Sequence, residues 1–120
     1  MTKANLKKQK SKSKLQIIFD EGTKFVCRTF VAFSLASPND PFTSTNVASK
    51  KVGNAVKRNR AKRRLREITR LHISPNIAPI RLILLARSDT YKTNFSLLLD
   101  DSKKLVKKIN EKLHFDQSVT

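Results

Sequence analysis

Residues 50–72 read KKVGNAVKRNRAKRRLREITRLH, and two patterns are superimposed in them. Ala61, Leu65, Ile68 and His72 recur at i, i+4, i+7 and i+11, which puts them on one narrow stripe of a helix turning about 100° per residue. The spacing predicts a helix from about Arg58 to about His72, docked along that stripe. The second pattern is cationic. Arg58, Lys62, Arg66 and Arg70 run along one flank, Arg60 and Arg64 along the other, and Arg63 lies near the outer face, so both flanks are expected in water. Asn54 is a candidate N-cap, but no Glu or Gln stands three residues later, which leaves the start anywhere between Asn54 and Arg58. Pro75 and Pro79 stop the helix.

Working outward, Leu15, Ile18 and Phe19 are spaced for a short amphipathic helix that Gly22 closes. From Phe25 to Leu35 the period changes to two: Phe25, Cys27, Val31, Phe33 and Leu35 are apolar at odd positions, which is strand behaviour with a bend inside it. Residues 37–41, Ser-Pro-Asn-Asp-Pro, form a turn cluster before a second β-branched stretch, Thr43 to Ser49, and a hairpin is the simplest connection between the two. Ile80 to Ala86, apolar but for Arg81, suits a buried central strand. Asn94 to Leu113 carries Phe95, Leu98, Leu99, Leu105, Val106, Ile109 and Leu113 at helical spacing with lysines opposite. The order is helix, strands, helix, strand, helix, an α+β sandwich.

A chain of 120 residues suits a single domain. Its 26 Lys and Arg against nine Asp and Glu leave +17, far more than solubility needs. Residues 1–14 hold six lysines and no acid, and residues 50–70 hold ten Lys or Arg with Glu67 alone in opposition. The rest is nearly balanced, so the charge belongs to two attachments on an ordinary scaffold, and nucleic acid is the leading partner. Residues 1–14 lack apolar periodicity and are expected to be a flexible basic tail, either merely solvated or an arm that orders on RNA. Cys27 stands alone and reads as a small buried strand residue of a protein in a reducing compartment. No apolar run approaches the roughly 20 residues of a membrane span.

Protein-borne catalysis is poorly supplied. His72 lies on the docking stripe, His114 is near the end of the chain, and Asp100 with Asp101 is expected to be a solvated pair on a lysine-rich helix. With Gly22 and Gly53 the only glycines, no loop can cradle a nucleotide. Binding is better equipped, because guanidinium forks suit phosphates and the amide of Asn59 beside them can read a base edge or a ribose hydroxyl. A zipper-type DNA-binding helix is excluded, since Pro75 and Pro79 block its continuation into heptads.

The stretch KKVGNAVKRNRAKRRLRE, Lys50 to Glu67, resembles the signature of the protein component of bacterial ribonuclease P. Leu15, Ile18, Phe19 and Gly22 resemble that family's first helix, Phe25 to Leu35 its early strand and Leu82 to Arg87 its late strand, so the resemblance spans about residues 15–113. It implies a single domain of order αβββαβα with a left-handed βαβ crossover, and residues 114–120 as a C-terminal tail. The implied function is assistance to a catalytic RNA that removes the 5′ leader of precursor tRNA. By the same resemblance Lys50, Lys51, Asn54, Arg58, Asn59, Arg60, Lys62, Arg63 and Arg66 face ribonuclease P RNA, and Leu15, Phe19 and Phe33 line a cleft for the leader. Leu15, Thr45, Asn46 and Arg81 differ from the residues usual in the family. Mg2+ would belong to the RNA's active site, with no catalytic residue and no metal on the protein. The implied partners are the RNA and precursor tRNA, in the cytoplasm, with neither a membrane nor a further protein required. A plain RNA-binding module and a free-standing nuclease are the competing classes.

Overall fold

A computed structural model describes residues 13–77 and 79–119, with side chains described through Leu113. The expected basic tail, but for Ser13 and Lys14, lies outside the described residues. Those two begin the first helix: α1 spans Lys14–Glu21, and the Ser13 hydroxyl caps it by accepting from the Gln16 amide at 3.1 Å. Gly22 follows because α1 ends against the next strands. A Cβ there would collide with the Ile18 carbonyl oxygen and sit 2.8 Å from that of Ser34.

The segment expected as one bent strand is two, β1 (Thr23–Val26) and β2 (Phe30–Ala36), paired antiparallel with Phe25 opposite Ala32. Antiparallel partners share a face, so the turn exchanges odd for even positions: β2 buries Phe30, Ala32 and Ser34, whereas Val31, Phe33 and Leu35 are half-buried on the other side. The expected hairpin from β2 to β3 (Thr43–Val47) does not form. The sheet order is β1-β2-β4-β3, with β4 (Ile80–Ala86) antiparallel to β2 and parallel to β3. Burial accounts for this arrangement. β4 buries Ile80, Leu82, Ile83, Leu84 and Ala86 and takes the centre, while polar β3 is mostly exposed and suits an edge.

The crossover from β3 to β4 contains the basic helix, α2 (Ala55–Ile68), preceded by a 3₁₀ turn at Lys50–Val52. Ala61, Leu65 and Ile68 are fully buried, as the stripe predicted. His72 is not on the docked face. Thr69–Ile73 forms a wider π turn, which carries the buried line to Thr69 and Ile73 and leaves His72 half-buried at the rim, its ring Nδ1 3.3 Å from the Asn76 amide nitrogen. A 3₁₀ turn at Ser74–Asn76 then leads toward β4.

After β4 a short helix not foreseen from the sequence, α3 (Ser88–Lys92), precedes α4 (Phe95–Val119), which continues beyond Leu113. Residues from α2 and α4, Leu65, Ile68, Leu98, Leu105 and Ile109 among them, pack with Phe30, Leu82 and Leu84 in one core on one face of the sheet. The other face carries α1, where buried Ile18 is accompanied by an edge-to-face contact of Phe19 with Phe33 at 4.8 Å. Among the described residues no helix is long and apolar enough to cross a membrane.

Candidate nucleic-acid interface

The basic helix is positioned from both ends and from behind. At its start Gly53 takes φ 147°, a backbone setting that strains any residue with a side chain, and Val52 is buried as an anchor. Asn54 is the N-cap, its Oδ1 accepting from the Lys57 amide at 3.0 Å, which fixes the start at Ala55. The first turn contains no acid, so the unsatisfied amides and positive dipole end stand beside exposed Lys50 and Lys51, an arrangement suited to phosphate.

Behind the helix a buried hydrogen-bond chain sets its rotation. Asp101 of α4, 8% exposed, accepts through Oδ2 from the Thr29 amide at 2.9 Å and from the Thr29 hydroxyl at 2.6 Å. The Thr90 hydroxyl donates to the Thr29 carbonyl, and Arg64 of α2 donates through Nη1 to the Thr90 carbonyl at 2.9 Å. Arg64 also lies 5.9 Å from the Phe95 ring centroid. Burial, and then the neighbouring Arg60 charge, lower its pKa from the usual guanidinium value. These contacts correct two expectations: Asp101 is a buried acceptor rather than a solvated partner of Asp100, and Arg64 ties α2 to the scaffold rather than standing in water.

With Arg64 turned inward, the outer face of α2 is an open recess lined by Val56, Asn59, Arg60, Lys62, Arg63 and Arg66. Five of the six helix residues expected to face RNA meet here. Arg58 does not line the recess; it is half-buried, and its Nε finds no acceptor among the described residues. Glu67, the one acid of the block, is engaged at 2.6 Å by Arg70, and every charged group that lines the recess is a cation. Val56, 75% exposed, also lines the recess and was not singled out in the sequence.

The cleft residues are divided. Leu15 lines a groove of about 350 Å3 between α1 and the β3–β4 side of the sheet, together with Lys14, Ile18, Asp40, Pro41, Thr43, Thr45 and Arg81. Phe19 and Phe33 are not in its lining; their rings contact each other, with Lys24 Nζ 5.9 Å from the Phe33 centroid. Leu15, Thr45 and Arg81, three of the four residues expected from the resemblance to depart from the family's pattern, are in this one groove. Hydrogen bonds from Ser37 and then Arg81 hold the Asp40 carboxyl below the usual carboxylate range. Among the described residues no three of His, Cys, Asp and Glu come together so as to hold a metal ion. Cys27, half-buried in the turn after β1, has its thiol pushed up to about 11 by burial and then by Asp101.

Comparison with known proteins identifies the family. The ribonuclease P protein component of an Exiguobacterium species is 37% identical over 93 residues, covering 78% of this chain and 81% of the relative. The RNase P protein of Staphylococcus aureus superposes with a TM-score of 0.66 at 30% identity, over 78% of this chain and 85% of that one. The RNase P protein of Thermotoga maritima gives 0.70 at 25% identity, over 80% and 91%. The family model described as Ribonuclease P matches residues 3–110, and with the basic helix set into the crossover of this sheet the chain belongs to the ribonuclease P protein family.

Proposed function

We propose that the protein is the RNA-gripping subunit of ribonuclease P, holding the catalytic RNA through the outer face of α2 and the 5′ leader of precursor tRNA on the α1 face of the sheet. The observation that carries this reading is the recess of Asn59, Arg60, Lys62, Arg63 and Arg66, which contains no acid. Guanidinium groups on a rigid helix meet phosphates with little ordering cost, and the preceding turn adds Lys50 and Lys51.

Hydrolysis, with the Mg2+ that activates it, is assigned to the RNA. Three of the protein's carboxylates are engaged by its own residues: Asp101 by Thr29, Asp40 through Oδ2 by Ser37 and Arg81, Glu67 by Arg70. The chain's own part is to bind, to orient the strand and to offset phosphate repulsion where two RNAs meet. The leader lies in the groove between α1 and the β3–β4 side of the sheet, which Leu15 lines, while Phe19 and Phe33 pack against each other outside that lining.

Leader binding separates this reading from that of a plain RNA-binding module. With the RNA subunit present, the protein should raise affinity for precursor tRNA over leaderless tRNA by roughly tenfold, the size of one or two stacking or phosphate contacts. Equal enhancement for both tRNAs, measured by equilibrium binding, would leave only a module that holds RNA without regard to the leader.

A further inference from the structure

The groove beside α1 contains an ion pair whose geometry exceeds what a surface salt bridge needs. Arg81 Nη2 and the Ser37 hydroxyl both donate to the same oxygen of Asp40, Oδ2, each at 3.0 Å. Ser37 is buried, so it is a fixed post rather than a mobile neighbour. Asp40 Oδ1 receives no hydrogen bond among the described residues, and the residue is half-exposed beside the groove it lines. Held by two donors on one side, the carboxylate presents one oriented acceptor on the other.

The surroundings indicate what that acceptor can meet. Leu15 and Ile18 give the groove an apolar side, Thr43 and Thr45 give hydroxyls from the edge strand, and Lys14 adds a second cation beside Arg81. A groove with an apolar wall, two cations and one directed carboxylate suits a nucleotide, whose base lies on the wall while its phosphate meets the cations. The carboxylate alone would repel the phosphate, and Lys14 with Arg81 offset that repulsion.

A carboxylate only accepts hydrogen bonds, so it selects bases by their donors. Adenine, cytosine and guanine carry an exocyclic amino group with two N–H donors, each with at most one ring acceptor beside it. Uracil has only its imide N–H, set between two carbonyl oxygens that a carboxylate meets unfavourably. We propose that Asp40, fixed by Ser37 and Arg81, reads one base of the strand in this groove and disfavours uracil there. The inference rests on the leader reading given above and assigns it a position of base selectivity.

The test uses the reconstituted holoenzyme and precursor tRNAs whose leader is all uridine, or uridine with a single adenosine or cytidine at each position in turn. At one position the amino-bearing base should tighten binding by about tenfold, the usual worth of one hydrogen bond to a charged group. Asp40→Asn should shrink that preference to about twofold, chiefly by improving uridine binding, because an amide can donate to a uracil carbonyl. A merely structural role for Asp40 would weaken all leaders alike. If leaders bind better than none but no position discriminates, or if the preference survives Asp40→Asn, this inference falls while the leader reading stands. If no leader improves binding over mature tRNA, both fall together.

Discussion

Replacing Arg60 and Arg63 together by alanine should weaken binding to ribonuclease P RNA by roughly a hundredfold, about tenfold for each phosphate-contacting guanidinium. Both side chains line the outer recess of α2 and neither is held by an ion pair among the described residues. The fold should be unaffected, since exposed substitutions of this kind change stability by about 0.5 kcal/mol or less. The salt dependence should also flatten, because each lost phosphate contact removes about 0.7 to 0.9 from the slope of log affinity against log salt. Filter binding at several salt concentrations, with a thermal melt beside it, measures both. Undiminished affinity with an unchanged slope would mean that the recess is only solvated.

Asp101→Ala should cost about 3 kcal/mol of folding stability. The carboxylate accepts from the Thr29 amide and hydroxyl inside the protein, and its removal leaves both donors buried without an acceptor. Because the same chain continues through Thr90 to Arg64, the loss should reach α2 and speed amide exchange in the basic helix. Asp100, the exposed neighbour, is the control, and Asp100→Ala should change stability by about 0.5 kcal/mol or less. Equal small effects from both alanines in denaturant unfolding would contradict the assigned role of Asp101.

The contrast between these two aspartates shows what the sequence could and could not convey. Periodicity reports which side of an element is apolar, so Ala61, Leu65 and Ile68 were legible as the docked stripe, and apolar β4 was legible as the central strand. Asp101 takes its role from Thr29, 72 residues away in the chain, and Arg64 from Thr90, 26 residues away; no local pattern carries such pairings. The shift from His72 to Ile73 was hidden for a different reason. A π turn changes the period itself, and the extrapolation to His72 assumed that the period of α2 continued.

Strand pairing was equally beyond local reading. The turn cluster at residues 37–41 suggests a hairpin, yet β4 takes the free edge of β2 because it has more apolar surface to bury than β3. The cationic face was easier to see, since charge collected on one helix is evident in composition. Lys62, Arg63 and Arg66 fell where the helical wheel put them, and Arg58 differs because its side chain is half-buried. The groove residues Asp40, Thr43 and Arg81 come from three separate segments and meet only through the sheet.

The division of labour between the two subunits is tested most directly by cleavage of precursor tRNA at low Mg2+ with the RNA alone, the protein alone, and both together. The account predicts little cutting by the RNA alone, none by the protein, and rapid release of the intact 5′ leader by the pair. Cutting by the protein alone, or a rate for the pair no higher than for the RNA by itself, would contradict it.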